Sequence, residues 1–240
     1  MNYKLIYTKD GESNHESGDI AYYIENGDNK IWYVIDAVSS CENPRRAAVY
    51  AHQVIQEYCA DQEMKNRFDL GALLMELHSQ LSEQIMNLTV CFSAVIQLSD
   101  GSLEAINVGD CRVYQFRNNL LMRVTRDDSY IQDLIDKGDI SEIEATVHQD
   151  RSFVSQTLGN GKELKLNFYQ LDRKIDGFIL TSDGIHGELL DHQISHVLFN
   201  ENLNTEEAYH TILKRSKVLE GNQDDQSLII VKKRDFKLTE

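Results

Sequence analysis

Six aspartates share one kind of position in this chain. Asp36 ends the apolar run Ile31-Trp32-Tyr33-Val34-Ile35, and Asp110 follows Ile106-Asn107-Val108-Gly109. Asp183 follows Ile179-Leu180-Thr181-Ser182 and precedes Gly184. Asp224 and Asp225 precede Ser227-Leu228-Ile229-Ile230-Val231, and Asp19 precedes Ile20-Ala21-Tyr22-Tyr23. A carboxylate at a strand end is firmly held, and several meeting there repel one another unless cations neutralise them. Any one of them alone is an ordinary turn residue or helix cap. The repeated pattern points to a carboxylate-lined metal site. All-oxygen ligation suits Mg²⁺ or Mn²⁺ rather than zinc, and the chain has neither a His-x-x-x-His pair nor a cysteine cluster.

Strands must carry most of these residues. Residues 2–8, 18–25 and 31–35 read as strands, with a hairpin loop over 25–29. Pro44 opens a helix in which Ala47, Ala48, Ala51, Val54, Ile55 and Tyr58 recur at helical spacing. A second helix over about 69–86 carries Leu70, Leu73, Leu74, Leu77, Leu81 and Ile85 on one stripe. Residues 89–98, 102–108, 112–117 and 120–124 follow as short strands with tight turns, which predicts an antiparallel meander. Helices are expected over 130–137, ended by Gly138, and over 141–147, 191–199 and 205–219; strands are expected over 175–181 and 227–232. No repeat or linker interrupts this order. It predicts an α+β chain forming one domain over residues 1–240. The expected architecture is a four-layer α-β-β-α sandwich, two central antiparallel sheets flanked by helix pairs.

Composition narrows the partners. The net charge is −15, from 24 basic and 39 acidic residues, which disfavours nucleic acid and anionic membranes. With Gly 13 and Pro 1, collagen-like and proline-rich classes are excluded. Cys41, Cys59, Cys91 and Cys111 are widely spaced, so reduced and mostly buried thiols are expected. No apolar run suits a signal peptide or a membrane span, so a cytoplasmic protein is expected. A serine-hydrolase elbow and a P-loop are both missing.

At these aspartates the sequence resembles the metal-dependent protein phosphatase (PPM) family, the type 2C serine/threonine phosphatases, in a divergent bacterial form. Asn107-Val108-Gly109-Asp110-Cys111-Arg112 is similar to the family's Asn-Val-Gly-Asp-Ser-Arg block. Val124-Thr125-Arg126-Asp127-Asp128-Ser129 is similar to its Leu-Thr-x-Asp-His-Ser segment. Thr157-Leu158-Gly159, Leu180-Thr181-Ser182-Asp183-Gly184-Ile185 and Asp224-Asp225-Gln226-Ser227-Leu228 match further blocks in order. The resemblance implies a binuclear Mn²⁺ or Mg²⁺ centre that hydrolyses phosphoserine or phosphothreonine by a metal-activated water. Asp36 would bridge the ions, the Ala37 backbone carbonyl would join it, and Asp183 and Asp224 would complete one of them. Asp19 would act from further out, and Asp110 would help hold a third ion. Asp36 and Asp183 are the expected catalytic residues. A phosphorylated protein substrate, a cognate serine/threonine kinase and a monomeric state are likewise expected.

Some positions depart from the family pattern. The family's early phosphate-binding Arg is Asn14 here, its motif Glu is Gly18, and its Asp-Gly loop reads Asp36-Ala37-Val38-Ser39-Ser40. Arg45, Arg46 and Arg112 are candidate replacements for the Arg, and His186 could protonate a leaving group. The segment 149–161 corresponds to a flap that contributes to substrate choice. The alternative these departures suggest is a catalytically silent relative that binds phosphoprotein or a regulator.

Overall fold

The computed structural model describes residues 6–9, 17–26, 29–60, 69–83, 88–217 and 224–232. The expectations for residues 2–5, Asn14, His15, Gly27, Asp28, Ile85, Met86, Val218 and Leu219 lie outside them. Strands β1 (Ile6–Lys9), β2 (Asp19–Asn26) and β3 (Asn29–Ala37) precede helices α1 (Pro44–Ala60) and α2 (Leu70–Glu83). Next come β4 (Val90–Gln97), β5 (Leu103–Val108), β6 (Arg112–Arg117) and β7 (Leu120–Arg123), then α3 (Tyr130–Lys137) and α4 (Glu142–Ala145). The chain closes with β8 (Asn167–Gln170), β9 (Gly177–Thr181), α5 (Asp183–His186), α6 (Asp191–Leu198), α7 (Thr205–Ser216) and β10 (Gln226–Lys232). Two sheets result, ordered β2-β3-β4-β5-β8 and β1-β10-β9-β6-β7. Every pairing within them is antiparallel.

Strand alternation assigns the faces. Along β3, Ile31, Tyr33, Ile35 and Ala37 pack with Ala47, Ala51 and Ile55 of α1 and with Leu73, Leu77 and Leu81 of α2. The alternate residues Trp32 and Val34 pack with Phe178 and Leu180 of β9 and with Ile229 and Val231 of β10. On the far side of the second sheet, Tyr114, Ile179, Leu228 and Ile230 meet Ile194 and Val197 of α6 and Tyr209 and Ile212 of α7. Three apolar layers therefore separate helices, sheet, sheet and helices, the expected four-layer sandwich. Burial of a leucine contributes about 1.5–3 kcal/mol, so the α2 stripe docks that helix far more strongly than helix propensity alone would hold it.

The predicted meander divides between the sheets. β4 pairs with β5 and β6 pairs with β7, but β6 takes β9, not β5, as its other neighbour. The chain crosses at Gly109-Asp110-Cys111, and there Gly109 has φ +94°. A Cβ on Gly109 would lie 2.5 Å from Cys91 Sγ, so only glycine makes this crossing. Two short elements carry little sequence signal: β8, a largely exposed edge strand beside β5, and α5, a single turn. The helix expected over 141–147 is the single turn α4, closed by a Ser141/Glu144 capping box. All four cysteines are free thiols, with Cys59, Cys91 and Cys111 buried. Among the described residues, no helix is long and apolar enough to cross a membrane.

Candidate metal centre and its cavity

The aspartates gather at one end of the two facing sheets. Asp19 of β2 and Asp36 of β3 are register partners. By alternation they share the inward face with Ala21 and Trp32. Opposite them, the end of β9 adjoins the start of β10, with Thr181 paired to Leu228, so Asp183 and Asp224 emerge side by side. Gly18 N–H, at the entry to β2, donates to Asp225 Oδ2 at 2.6 Å and ties the two sheets together. Gly184 follows Asp183 because nothing larger fits: a Cβ there would come within 1.9 Å of the Asp225 carbonyl oxygen.

The mutual electrostatics identify these groups as one cluster. Burial, then the charges of Asp19 and Asp183, hold the Asp36 carboxyl well above the usual range. Burial, then the Asp110 charge, push Asp183 up to about 6, and its carboxyl lies in hydrogen-bonding reach of Asp36. Asp224 rises to about 7, through the protein packed around it and then the Asp183 charge. Asp110 rises to about 6, first through burial and then through Asp127. Asp19 is also raised, chiefly by burial, and its Oδ2 is buried with no hydrogen-bond partner among the described residues. An orphaned carboxylate oxygen and mutually repelling carboxyls are what a hard dication relieves, and the donor set is oxygen throughout. Among the described residues, no three His, Cys, Asp or Glu side chains stand close enough to form a finished coordination set. Fold and electrostatics, not completed ligand geometry, group these carboxylates. Ala37, where the family has Gly, is not among the positive-φ residues, so its Cβ causes no backbone strain.

A cavity of about 360 Å³ opens beside the cluster, lined by Asp110, Asp183 and Asp224 on one side. Arg112, Arg123 and Asp127 line another part of it. Arg112 shares the outer face of β6 with Tyr114. Its Nε reaches Asp127 Oδ1 and Oδ2 at 3.1 and 3.0 Å, and its Nη2 reaches Oδ2 at 2.7 Å. Arg123 Nη2 approaches the same carboxylate at 2.5 Å. The sequence reading singled out Arg112 and missed both Arg123 and Asp127. Arg45 and Arg46 are not brought to the cavity lining; they occupy the first turn of α1, where Arg45 Nη1 donates to the Ser17 carbonyl at 3.2 Å.

His186 does line the cavity, with Nδ1 2.8 Å from Thr181 Oγ1. Burial, then the Arg112 and Arg123 charges, hold it well below 6.5, and its ring also hydrogen-bonds the Asp110 backbone. A neutral ring keeps one N–H but is too weak an acid to protonate a leaving group near pH 7, so this environment favours a role in fixing the Asp110 loop. That loop is further stitched by Asp128, whose N–H donates to the Gly109 carbonyl at 2.8 Å and whose Oδ2 accepts from Gly109 N–H at 3.1 Å. Helices α3 and α4 and the segment after them form the remaining wall, through Gln132, Thr146 and Arg151 among others.

No family model matches the chain. The serine/threonine protein phosphatase PstP of Mycobacterium tuberculosis is 28% identical over 137 residues, which is 57% of this chain and 26% of PstP. The match therefore spans about a quarter of that relative's length. The crystal structure of the serine/threonine phosphatase Stp1 from Staphylococcus aureus superposes with a TM-score of 0.81 at 18% identity, over 97% of this chain and 95% of that one. The catalytic domain of the serine/threonine protein phosphatase PstP in complex with two manganese ions gives 0.71 at 18% identity, over 95% and 96%. The chain is similar in sequence and in fold to bacterial serine/threonine phosphatases.

Proposed function

We propose that this chain is a metal-dependent protein serine/threonine phosphatase that removes phosphate from a phosphoprotein, in opposition to a serine/threonine kinase. The observation that carries the reading is the gathering of Asp19, Asp36, Asp183 and Asp224 at one end of the two sheets, their carboxyls raised first by burial and then by neighbouring carboxylates. Asp36, the Ala37 carbonyl, Asp183 and Asp224 would hold two Mn²⁺ or Mg²⁺ ions, with Asp19 supporting them and Asp110 serving a third. Bound there, divalent cations supply positive charge for phosphoryl oxygens and lower the proton affinity of water.

The chain's own residues do the rest. The β2–β3 register fixes Asp19 against Asp36, and the Gly18–Asp225 hydrogen bond sets the spacing between the sheets. Neutral His186 holds the Asp110 backbone rather than donating a proton. The cavity beside the carboxylates gives the phosphorylated side chain a walled approach with water partly excluded.

The test is turnover of p-nitrophenyl phosphate and a phosphothreonine peptide with Mn²⁺, with Mg²⁺ and with EDTA. The expected result is activity that requires metal and disappears in Asp36→Asn and Asp183→Asn. Absence of turnover, together with absence of Mn²⁺ binding by calorimetry, would sink the reading.

A further inference from the structure

Residues 154–159 run between two parts of the carboxylate site and are tied to both. At one end, Ser155 N–H donates to the Asp128 carbonyl at 2.8 Å, and Gln156 Nε2 donates to Asp128 Oδ2 at 2.9 Å. That oxygen also accepts from Gly109 N–H, beside Asp110. At the other end, Leu158 and Val90 exchange both backbone hydrogen bonds, at 2.9 and 3.1 Å. Val90 opens β4 and is the register partner of Ala37, and the Thr89 carbonyl accepts from Val38 N–H at 3.1 Å. The segment therefore joins the Gly109–Asp110 crossing to the Ala37 end of β3. Behind it stands His78 of α2, which is 9% exposed. Gly159 N–H lies 3.1 Å from His78 Nδ1, and the Lys162 carbonyl lies 2.9 Å from Nε2. An amide N–H only donates and a carbonyl only accepts, so Nδ1 is the acceptor and Nε2 carries the hydrogen. A Cβ at Gly159 would lie 2.7 Å from Leu81 Cβ of α2 and 2.1 Å from the Leu88 carbonyl oxygen, so this turn is wedged between α2 and the chain entering β4.

We propose that His78 is a positioning residue for the carboxylate site: by fixing Gly159 it anchors residues 154–159 as a brace that sets the Ala37 carbonyl and the Asp110 loop relative to each other. The assignment rests on the phosphatase reading above. A metal site tolerates little displacement of its ligands, and residues that hold the ligands in place commonly change affinity by about ten- to a hundredfold. A shift of Leu158 carries Val90 with it, and Ala37 with Val90, because backbone pairing joins all three. A shift of Ser155 or Gln156 reaches Asp110 through Asp128 and Gly109. His78 is outside the cavity lining and outside the proposed ligand set, so its effect on metal passes through the brace. Its two nitrogens are unequal in this: Nδ1 holds the brace itself, and Nε2 holds Lys162, beyond the brace.

The experiment compares wild type, His78→Gln, His78→Asn and Gln156→Ala in the full chain. Each is titrated with Mn²⁺ by calorimetry, melted without metal, and assayed on a phosphothreonine peptide across a range of Mn²⁺ concentrations. Asn places its carbonyl oxygen near the Nδ1 position and still accepts from Gly159 N–H, whereas Gln reaches the Nε2 position and keeps only the Lys162 contact. The expected result is Mn²⁺ binding weaker by about tenfold or more in His78→Gln, and within about threefold of wild type in His78→Asn. The Mn²⁺ concentration for half-maximal turnover rises by the same factor, while KM for the peptide at saturating Mn²⁺ stays within about twofold. Gln156→Ala cuts the brace at its other end and weakens Mn²⁺ binding by about threefold to tenfold. Unchanged Mn²⁺ affinity in His78→Gln, with or without a lower melting temperature, overturns the assignment and leaves the phosphatase reading standing. An equal loss in His78→Asn overturns it as well, because the Gly159 contact would then not be the cause. If His78→Gln does not fold, Gln156→Ala decides: weaker Mn²⁺ binding supports the brace, and wild-type affinity overturns it. A wild type that binds Mn²⁺ without turning over the peptide sinks the phosphatase reading alone, and the Mn²⁺ affinities still decide for His78. A wild type that binds no Mn²⁺ sinks both.

Discussion

Two groups of carboxylates line or underlie the same cavity and are stabilised in opposite ways. Asp127 sits between the guanidiniums of Arg112 and Arg123, at 2.7 and 2.5 Å, so the chain neutralises it from within. The carboxyls of Asp19, Asp36, Asp110, Asp183 and Asp224 are instead raised, first by the protein packed around them and then by neighbouring carboxylates. An internally paired carboxylate is part of the scaffold, because its cost is met when the chain folds. An unmatched set is held at the expense of stability and relieved by something that binds. Charge pairing, not burial alone, separates Asp127 from the aspartates proposed to hold metal.

That contrast predicts opposite signs for similar substitutions. Asp36→Asn removes one of the repelling carboxylates, so phosphatase turnover should fall on the order of a thousandfold. The metal-free protein should at the same time melt a few degrees higher, roughly 2–5 °C. Asp127→Ala should do the reverse in stability. It leaves Arg112 and Arg123 without their shared partner, a loss of about 3–5 kcal/mol, or a melting temperature lower by roughly 10 °C. Thermal melts of the metal-free proteins beside Mn²⁺-dependent assays check both. If both variants are destabilised alike, the distinction between the two groups collapses.

The two groups were unequally legible in the sequence. Asp19 and Asp36 could be read because strand alternation and a strand-end position decide where each points, and both are local properties. Asp183 and Asp224 followed from the same rule. Asp127 could not be read that way. Its role depends on Arg112, fifteen positions away, and on β6 crossing to pair with β9 instead of continuing the meander. The signal for that crossing was Gly109, whose positive φ is invisible until Cys91 is known to pack against it. Arg151 itself was not singled out, although the resemblance marked its segment 149–161, because a stretch without periodicity does not tell which of its side chains line a cavity. Short β8 and α5 escaped for want of length.

A third consequence concerns pH in the absence of metal. Carboxyls whose folded pKa is raised favour the folded state while protonated. That contribution is complete below about pH 4, the ordinary range of a free aspartate. It is lost as pH climbs through about 6 for Asp110 and Asp183 and about 7 for Asp224. The melting temperature of EDTA-treated protein should therefore fall between pH 5 and pH 7.5, on the order of 5 °C. Saturating Mn²⁺ at pH 7.5 should recover it, since a ligand that binds only the folded state stabilises it. The same scan on Asp36→Asn should be flatter. An equally steep fall in that variant would place the responsible groups elsewhere.

The smallest effect is expected at α1. Arg45 and Arg46 are cations close in sequence to Asp36, yet the structure keeps both out of the cavity lining. Arg45 is spent on the Ser17 carbonyl, and Arg46 is exposed. Substituting either by Ala should change melting temperature by no more than roughly 2 °C and KM for a phosphothreonine peptide by less than about twofold. Arg45 is the more informative of the two, because Ser17 leads directly into Gly18 and Asp19, so a shift there would act through the carboxylate side of the site. A tenfold rise in KM for Arg45→Ala would instead place phosphate recognition at the α1 rim. The internally paired Arg112–Asp127–Arg123 wall would then border a channel for the rest of the substrate and not the phosphate itself.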